Sequence, residues 1–152
     1  MAQISRWNVV NAGVPGDMAR DAGKRLSGLL DQHRPDLVII ELGGNDFLRK
    51  RSPALVREDL REMLVRVREF GAVPVLVAVP RLSLLRASTG MLEDEQLYAK
   101  LAIEEQVLLI DEVFSEVLSE EALRADRIHP NAAGYQSLAE GIAAGLREAG
   151  LL

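Results

Sequence analysis

The chain contains no cysteine among its 152 residues. This absence excludes disulfide frameworks, cysteine nucleophiles and zinc sites with thiolate ligands. A chain of this length buries roughly two thirds of its unfolded surface, so one hydrophobic core can stabilise it without such devices. No apolar run approaches the roughly 20 residues that a membrane span requires. We therefore expect residues 1–152 to form one ordinary globular domain without a membrane span.

A strong excess of basic residues is also missing. The 18 Lys and Arg residues are outnumbered by 23 Asp and Glu residues, which gives a net charge of −5. The basic residues between Arg57 and Arg68 alternate with acidic ones, as on a solvated helix face, so we predict no nucleic-acid partner. Residues 1–6 lack the pattern of a secretory signal. The compartment stays open: cytoplasmic as written, or exported if an upstream signal has been lost.

Short runs of Val, Ile and Leu alternate with segments of helical period. This alternation of strand and helix patterns predicts an α/β fold, a doubly wound parallel sheet with helices on both faces. The predicted strands are Trp7 to Asn11, Leu37 to Leu42, Val73 to Val79 and Val107 to Ile110. The predicted helices are Asp17 to His33, Ser52 to Phe70, Leu92 to Glu104, Glu112 to Leu123 and Asn131 to Ala149. Ser52 is expected to cap its helix, and Gly71 and Gly150 to end theirs.

Unusual residues follow three of the predicted strands at their carboxyl ends, at residues 13–17, 43–46 and 80–81. The turn at residues 126–130 follows the last strand and its short helix, so it can return to the same edge. Ligands of open parallel sheets bind at that edge, so we expect these loops to converge on one site.

His129 is the histidine that lies in one of these loops, and Asp126 precedes it by three residues. In a tight turn the carboxylate can accept from one ring nitrogen and leave the other free as a general base. The same residues are also typical of a turn that caps the final helix, which begins at Pro130 and Asn131. His33 ends a helix, and we interpret it as structural.

The loop Gly43-Gly44-Asn45-Asp46 follows a buried strand. Its glycines allow close approach of a ligand, and the Asn45 amide can donate to a developing oxyanion. Gly16 can present its N–H to an anion in the same way. On pattern alone, a glycine-rich turn with Asn and Asp in turn roles is the favoured interpretation of the loop at residues 43–46, and a plain helix-entry turn is the alternative for Gly16. Neither has the spacing of a dinucleotide fingerprint or a P-loop, which disfavours a third hypothesis, a nucleotide- or phosphate-binding domain.

Together, residues 11–17, 38–46 and 126–135 resemble the second, third and fifth sequence blocks of the SGNH, or GDSL, hydrolases, and most closely the bacterial arylesterase and acyl-CoA thioesterase/lysophospholipase branch. The resemblance implies a serine esterase that cleaves carboxylic or thioesters without a cofactor or metal. It implies that Gly16 and Asn45 are oxyanion donors, that His129 is the general base and that Asp126 orients it. It also implies the strand order 2-1-3-4-5.

The family's nucleophile block, a strand ending in Gly-Asp-Ser, is missing. It would precede Trp7, and Gly16-Asp17-Met18 has Met where serine is needed. Ser83 is the replacement worth testing. We therefore expect a single SGNH-type domain that is shortened at its amino end and is inactive as given, because hydrolysis lacks its nucleophile. The alternative is a non-catalytic descendant that binds a small ligand.

The missing strand also bears on partners. It would lie between the predicted strands at residues 7–11 and 37–42, so these two strands should pair directly, or another chain should complete the gap. We expect a small ester or thioester substrate, and a homo-oligomer or a completing chain is the expected protein partner.

Overall fold

The computed structural model describes residues 7–81 and 92–152, and it contains a parallel sheet. The strands are β1 (Leu37–Ile40), β2 (Val73–Val77) and β3 (Leu108–Ile110), in the order β1-β2-β3. Ile39 lies beside Val75, and Leu76 lies beside Leu109. Each strand is almost entirely apolar, as expected of strands that are covered on both faces.

Helices connect and cover the strands. They are α1 (Ala19–His33), α2 (Gly44–Leu48), α3 (Pro53–Phe70), α4 (Leu97–Glu105), α5 (Val113–Ser119), a 3₁₀ turn (Glu121–Leu123) and α6 (Ala132–Glu148). Among the described residues, no helix is long and apolar enough to cross a membrane.

Two hydrophobic clusters lie on opposite faces of the sheet. The first joins Ile40 and Leu76 to residues of α1, α3 and α4, such as Leu60. The second joins Val75 and Val77 to α6 and to part of α5. Alternate residues of each strand enter opposite clusters, as the period of two in a strand requires. The predicted α/β class with helices on both faces is confirmed.

The prediction of a strand at Trp7 to Asn11 is wrong. These residues form no strand, and Val9 and Val10 are exposed. A strand requires a neighbouring backbone to complete its hydrogen bonds, and no strand in the described parts of the chain pairs with residues 7–11 or with the outer edge of β1. The predicted direct pairing between residues 7–11 and 37–42 is therefore also wrong.

The other three strands are confirmed with shorter bounds, and the helices differ mainly at their ends. The predicted helix from Leu92 begins at Leu97, the one from Glu112 to Leu123 divides into α5 and the 3₁₀ turn, and α2 was not predicted. Gly71 ends α3 in the left-handed conformation, as predicted. Ser52 is the N-cap residue of α3, but its side chain makes no capping hydrogen bond.

Candidate active site

The first part of the site joins the loop before α1 to the loop after β1. The Asn45 Nδ2 donates to the carbonyl oxygen of Asp17 at 3.0 Å. A primary amide carries two N–H groups, so the second one is available to a ligand. Gly16 has φ +85°, a left-handed conformation suited to glycine, and its N–H has no acceptor among the described residues. We call Gly16, Asp17 and Asn45 the amide corner.

Asp46 holds this corner in place. Its side chain is completely buried, and its Oδ2 accepts from the Ala19 N–H at 2.9 Å, at the start of α1. Its Oδ1 accepts from Arg51 Nη1 at 2.9 Å, and Arg51 also pairs with Asp59. The carboxylate thus satisfies an amide at the amino end of α1, which favours negative charge. The sequence pattern indicates only a turn role for Asp46, because its partners are distant in the sequence.

Gly43 brings the same loop close to α4. It has φ +123°, and a Cβ atom built on it would lie 2.2 Å from the Tyr98 hydroxyl oxygen. The buried Tyr98 hydroxyl donates to the Leu42 carbonyl oxygen at 2.7 Å. Burial raises the pKa of Tyr98 well above 10, so this hydroxyl stays a hydrogen-bond donor. The path of the backbone into Asn45 therefore requires glycine at position 43.

The second part of the site is the turn that contains Asp126 and His129. The Asp126 Oδ2 lies 2.8 Å from Nδ1 of His129, and Oδ1 lies 3.1 Å from it. Oδ1 also accepts from the backbone N–H groups of Ile128 and His129, at 2.8 and 2.9 Å. The Ile128 N–H bond, followed by the His129 side chain, lowers the pKa of Asp126 below 3.8. This contact fixes the ring so that Nε2 is the outward nitrogen, and Nε2 has no partner among the described residues.

The start of α6 supports this turn. Asn131 caps the helix by accepting from the Gly134 N–H at 3.0 Å, and its own side-chain amide donates to the Ala122 carbonyl oxygen. The Asn131 N–H donates to the carbonyl oxygen of Leu123. A Cβ atom on Gly134 would lie only 2.0 Å from that same oxygen. Glycine at 134 therefore allows α6 to approach the turn. Capping and the Asp126–His129 pair are both present, so the two interpretations of this segment are compatible.

The described contacts bring Gly16 and Asn45 together but do not join them to His129. A depression of about 490 Å³ adjoins the turn, and it is lined by Glu121, Arg124, Ala125, Asp126 and Arg127. Neither Asn45 nor His129 contributes to this lining. The convergence of Asn45 and His129 on one cleft therefore stays a prediction, as do the roles of all four residues.

No serine among the described residues is placed as a nucleophile. Met18, after Gly16-Asp17, is buried. The Ser115 and Ser119 hydroxyls donate to the backbone within α5 or just before it, Ser27 and Ser137 lie in helices, and Ser52 is the N-cap residue of α3. Ser5, Ser83 and Ser88 lie outside the described residues. The described part of the chain also contains no cluster of three or more potential metal ligands.

Glu41 is an acidic residue near the amide corner that no sequence motif indicates as functional. It follows β1 directly and is exposed, yet the protein around its carboxyl group displaces enough water to raise the pKa from 4.5 to about 7. No described residue forms a hydrogen bond or ion pair with its side chain. The raised pKa of Glu41 could not be predicted from the sequence, because it arises from the packing around the end of β1.

Comparison with known proteins gives a consistent result. Residues 1–137 match the model of the GDSL-like lipase/acylhydrolase family. The chain is 38% identical over 131 residues to thioesterase 1/protease 1/lysophospholipase L1 of Escherichia coli (strain K12), covering 84% of this chain and 61% of that protein. It is 36% identical over 139 residues to an arylesterase of Vibrio mimicus, covering 89% of this chain and 68% of that protein.

Solved structures agree. The crystal structure of TesA superposes with a TM-score of 0.81 at 31% identity, covering 95% of this chain and 79% of that one. The psychrotrophic esterase EstA from Pseudoalteromonas sp. superposes with a TM-score of 0.79 at 19% identity, covering 97% of this chain and 81% of that one, which supports the fold alone. The present chain thus spans 61% of the length of its Escherichia coli relative.

Proposed function

Because the chain belongs to the GDSL-like lipase/acylhydrolase family, we propose that it carries the base and oxyanion-binding parts of a site that hydrolyses carboxylic esters or thioesters. The observation that carries this proposal is the 2.8 Å contact between Asp126 Oδ2 and His129 Nδ1. It is the geometry that a general base requires from its orienting carboxylate. The names of the relatives, a thioesterase and an arylesterase, support the two classes of ester.

In this proposal, His129 Nε2 removes the proton from a serine hydroxyl as that oxygen attacks the acyl carbon. The Asp126 carboxylate stabilises the resulting imidazolium and remains ionised, which its lowered pKa favours. The carbonyl oxygen becomes an oxyanion and accepts from the Gly16 N–H and the free N–H of Asn45. His129 then returns the proton to the leaving alcohol or thiol. A water molecule repeats these steps on the acyl-enzyme and releases the acid.

In this proposal the serine comes from a Gly-Asp-Ser block that residues 1–152 do not contain. Met18 contributes no hydroxyl after Gly16-Asp17, and the hydroxyls of Ser115 and Ser119 already donate to the carbonyl oxygens of Glu112 and Ser115. Without a nucleophile, only binding and the amide donors remain, and these support a small residual rate. We therefore propose that the 152-residue chain alone is inactive.

A second candidate is a non-catalytic protein that binds a small ester or acid at the same amides. The observation that favours it is Met18, a buried apolar side chain directly after Gly16-Asp17. Such a protein retains the amide corner for binding, and the Asp126–His129 turn serves as the entry to α6.

The test is hydrolysis of p-nitrophenyl acetate by the 152-residue chain and by the same chain extended with the coding sequence that lies in frame before Met1. We expect turnover only from the extended chain, with a loss of about a thousandfold or more in its His129→Ala variant. Turnover by the 152-residue chain that is lost in Ser83→Ala would contradict the proposal and assign the nucleophile to Ser83. An upstream sequence without a Gly-Asp-Ser block would favour the second candidate.

A further inference from the structure

The connection between α2 and α3 carries basic side chains without acidic neighbours. Residues 47–57 contain four basic residues and no acidic one, although the whole chain has a net charge of −5. Arg51 and Arg57 form ion pairs with acidic residues of the fold. Arg49 and Lys50 are exposed, and no residue in the described ranges forms an ion pair with either of them. These two cations are therefore available to an external anion.

Exposed leucines lie on both sides of these cations in the chain. Leu48 ends α2 and is 48% exposed, and Leu55, in the first turn of α3, is 55% exposed. Apolar side chains that remain in water beside charged ones are typical of interaction and membrane-binding sites. We call Leu48, Arg49, Lys50 and Leu55 the cationic tip.

The backbone of the cationic tip has a fixed geometry. The Lys50 N–H donates to the Phe47 carbonyl oxygen at 2.9 Å, and the next N–H along the chain donates to the Asp46 carbonyl oxygen, also at 2.9 Å. The Arg51 side chain pairs with Asp46 of α2 and Asp59 of α3, so it holds the two helices together. Lys50 has φ +57°, at the position where such a helix end favours glycine. The turn therefore does not explain why a lysine is present there.

The cationic tip is also close to the amide corner. Leu48 follows Asn45 by three residues in α2, so the two side chains lie on the same side of this helix. Three acidic residues flank the tip in the sequence, and all three already form ion pairs: Asp46, Asp59 and Glu58. The positive charge of the tip is therefore not neutralised by its own surroundings.

We propose that the cationic tip binds reversibly to an anionic lipid surface. The two leucines enter the headgroup region, and Arg49 and Lys50 contact the phosphate groups of the lipids. The rest of the chain is acidic and is repelled by such a surface, so the tip determines the orientation in which the protein binds. The leucines favour lipid over a nucleic acid, because a phosphate backbone offers no apolar layer to receive them. Binding brings the Asn45 side of α2 toward the lipid.

The test is co-sedimentation of the 152-residue chain with vesicles of phosphatidylcholine alone or of an equimolar mixture with phosphatidylglycerol. We expect partitioning into the anionic vesicles to be stronger by about tenfold or more, and to weaken as salt is added. Arg49→Gln and Lys50→Gly should each weaken it about fivefold. Lys100→Gln, which removes an exposed cation of α4, is the matched control and should bind like the unmodified chain. Lys50→Gly also relieves the left-handed strain, so it should unfold at a higher urea concentration although it binds more weakly.

A fluorescent label tests whether the tip itself enters the lipid. Because the chain has no cysteine, Leu48→Cys can carry a nitrobenzoxadiazole label at one position. Ile103→Cys is the control, since Ile103 of α4 is 79% exposed and lies outside the tip. Anionic vesicles should shift the emission of the label at position 48 to shorter wavelength and leave the emission of the label at position 103 unchanged.

Three results would overturn the proposal. The first is equal partitioning into both kinds of vesicle, or none into either. The second is a loss in Lys100→Gln as large as that in Arg49→Gln, because overall charge rather than the tip then governs binding. The third is binding to a DNA duplex that is lost in Arg49→Gln, without binding to anionic vesicles, which assigns the tip to a nucleic acid. None of these results depends on ester hydrolysis, so this proposal and the proposed function fail separately.

Discussion

The amide corner and the Asp126–His129 turn differ in what holds them. The amide corner depends on partners distant in the sequence, since Asn45 bonds to Asp17 and the buried Asp46 bonds to Ala19. The turn depends on local contacts, because the Asp126 carboxylate bonds to Ile128 and His129. Both Asp126 and His129 have exposed side chains. The corner therefore exists only when the whole fold is intact, whereas the turn forms its own geometry.

The largest expected effect comes from removing the Asp46 side chain, which holds the amide corner in place. Asp46→Ala leaves the Ala19 N–H without its acceptor and leaves Arg51 with only Asp59. We expect a loss of about 3 kcal/mol in the free energy of unfolding, measured by urea denaturation, because a buried charge pair is broken. Asp126→Ala is the matched control at the turn and should cost much less. Equal losses of unfolding free energy in the two variants would contradict the view that the amide corner, but not the turn, depends on distant contacts.

The next largest effect is expected at Gly134, where α6 packs against the segment that precedes the Asp126–His129 turn. Gly134→Ala places a Cβ atom against the Leu123 carbonyl oxygen, a backbone atom that has little freedom to move. We expect a loss of about 2 kcal/mol and altered chemical shifts at His129, because α6 must move away from the turn. Gly28→Ala is the control: position 28 is open and lies inside α1, so this variant should be more stable by about 0.5 to 1 kcal/mol. A neutral Gly134→Ala would show that the turn tolerates displacement of α6.

A smaller effect is expected at Glu41, beside the amide corner. The folded protein binds a proton on the Glu41 carboxylate more tightly than the unfolded chain does, because folding raises the pKa of Glu41 from 4.5 to about 7. The contribution of this protonated carboxyl group to the free energy of unfolding is therefore fully present below pH 4.5 and is lost as the pH rises through 7. Because Glu41 is exposed, we expect the free energy of unfolding to fall by only about 1 kcal/mol between pH 4 and pH 8. The Glu41→Gln variant should not show this fall, because its side chain does not titrate. The same dependence of the free energy of unfolding on pH in both proteins would contradict a raised pKa at Glu41.

The smallest effect concerns the local character of the turn. The pKa of Asp126 should lie below 3.8, and His129→Ala should restore it only in part, because the Ile128 N–H is the largest cause of the shift. Carboxyl carbon chemical shifts followed from pH 2 to pH 6 measure both values. Full restoration in His129→Ala would mean that the imidazole, rather than the backbone of the turn, holds the carboxylate.

The same contrast explains what could be predicted from the sequence. The end of α3 at Gly71 and the Asp126–His129 contact follow from residues close together in the chain, and the structure contains both. The buried role of Asp46 could not be predicted, because it requires the approach of α1 to the loop after β1. The strand expected at residues 7–11 failed for the related reason that a strand depends on its neighbour, which no local pattern supplies.

We predict that the amide corner and the turn form one site. The most direct measurement is a titration of the isotopically labelled 152-residue chain with ethylphosphonate, an anionic analogue of the tetrahedral intermediate, followed by nuclear magnetic resonance. If they form one site, the resonances of the Gly16 N–H, the Asn45 side-chain amide and the His129 ring shift together with a single dissociation constant, and Asn45→Ala weakens the response at His129. Shifts at His129 that saturate independently of Gly16 and Asn45, or no shift at the amides, would contradict it.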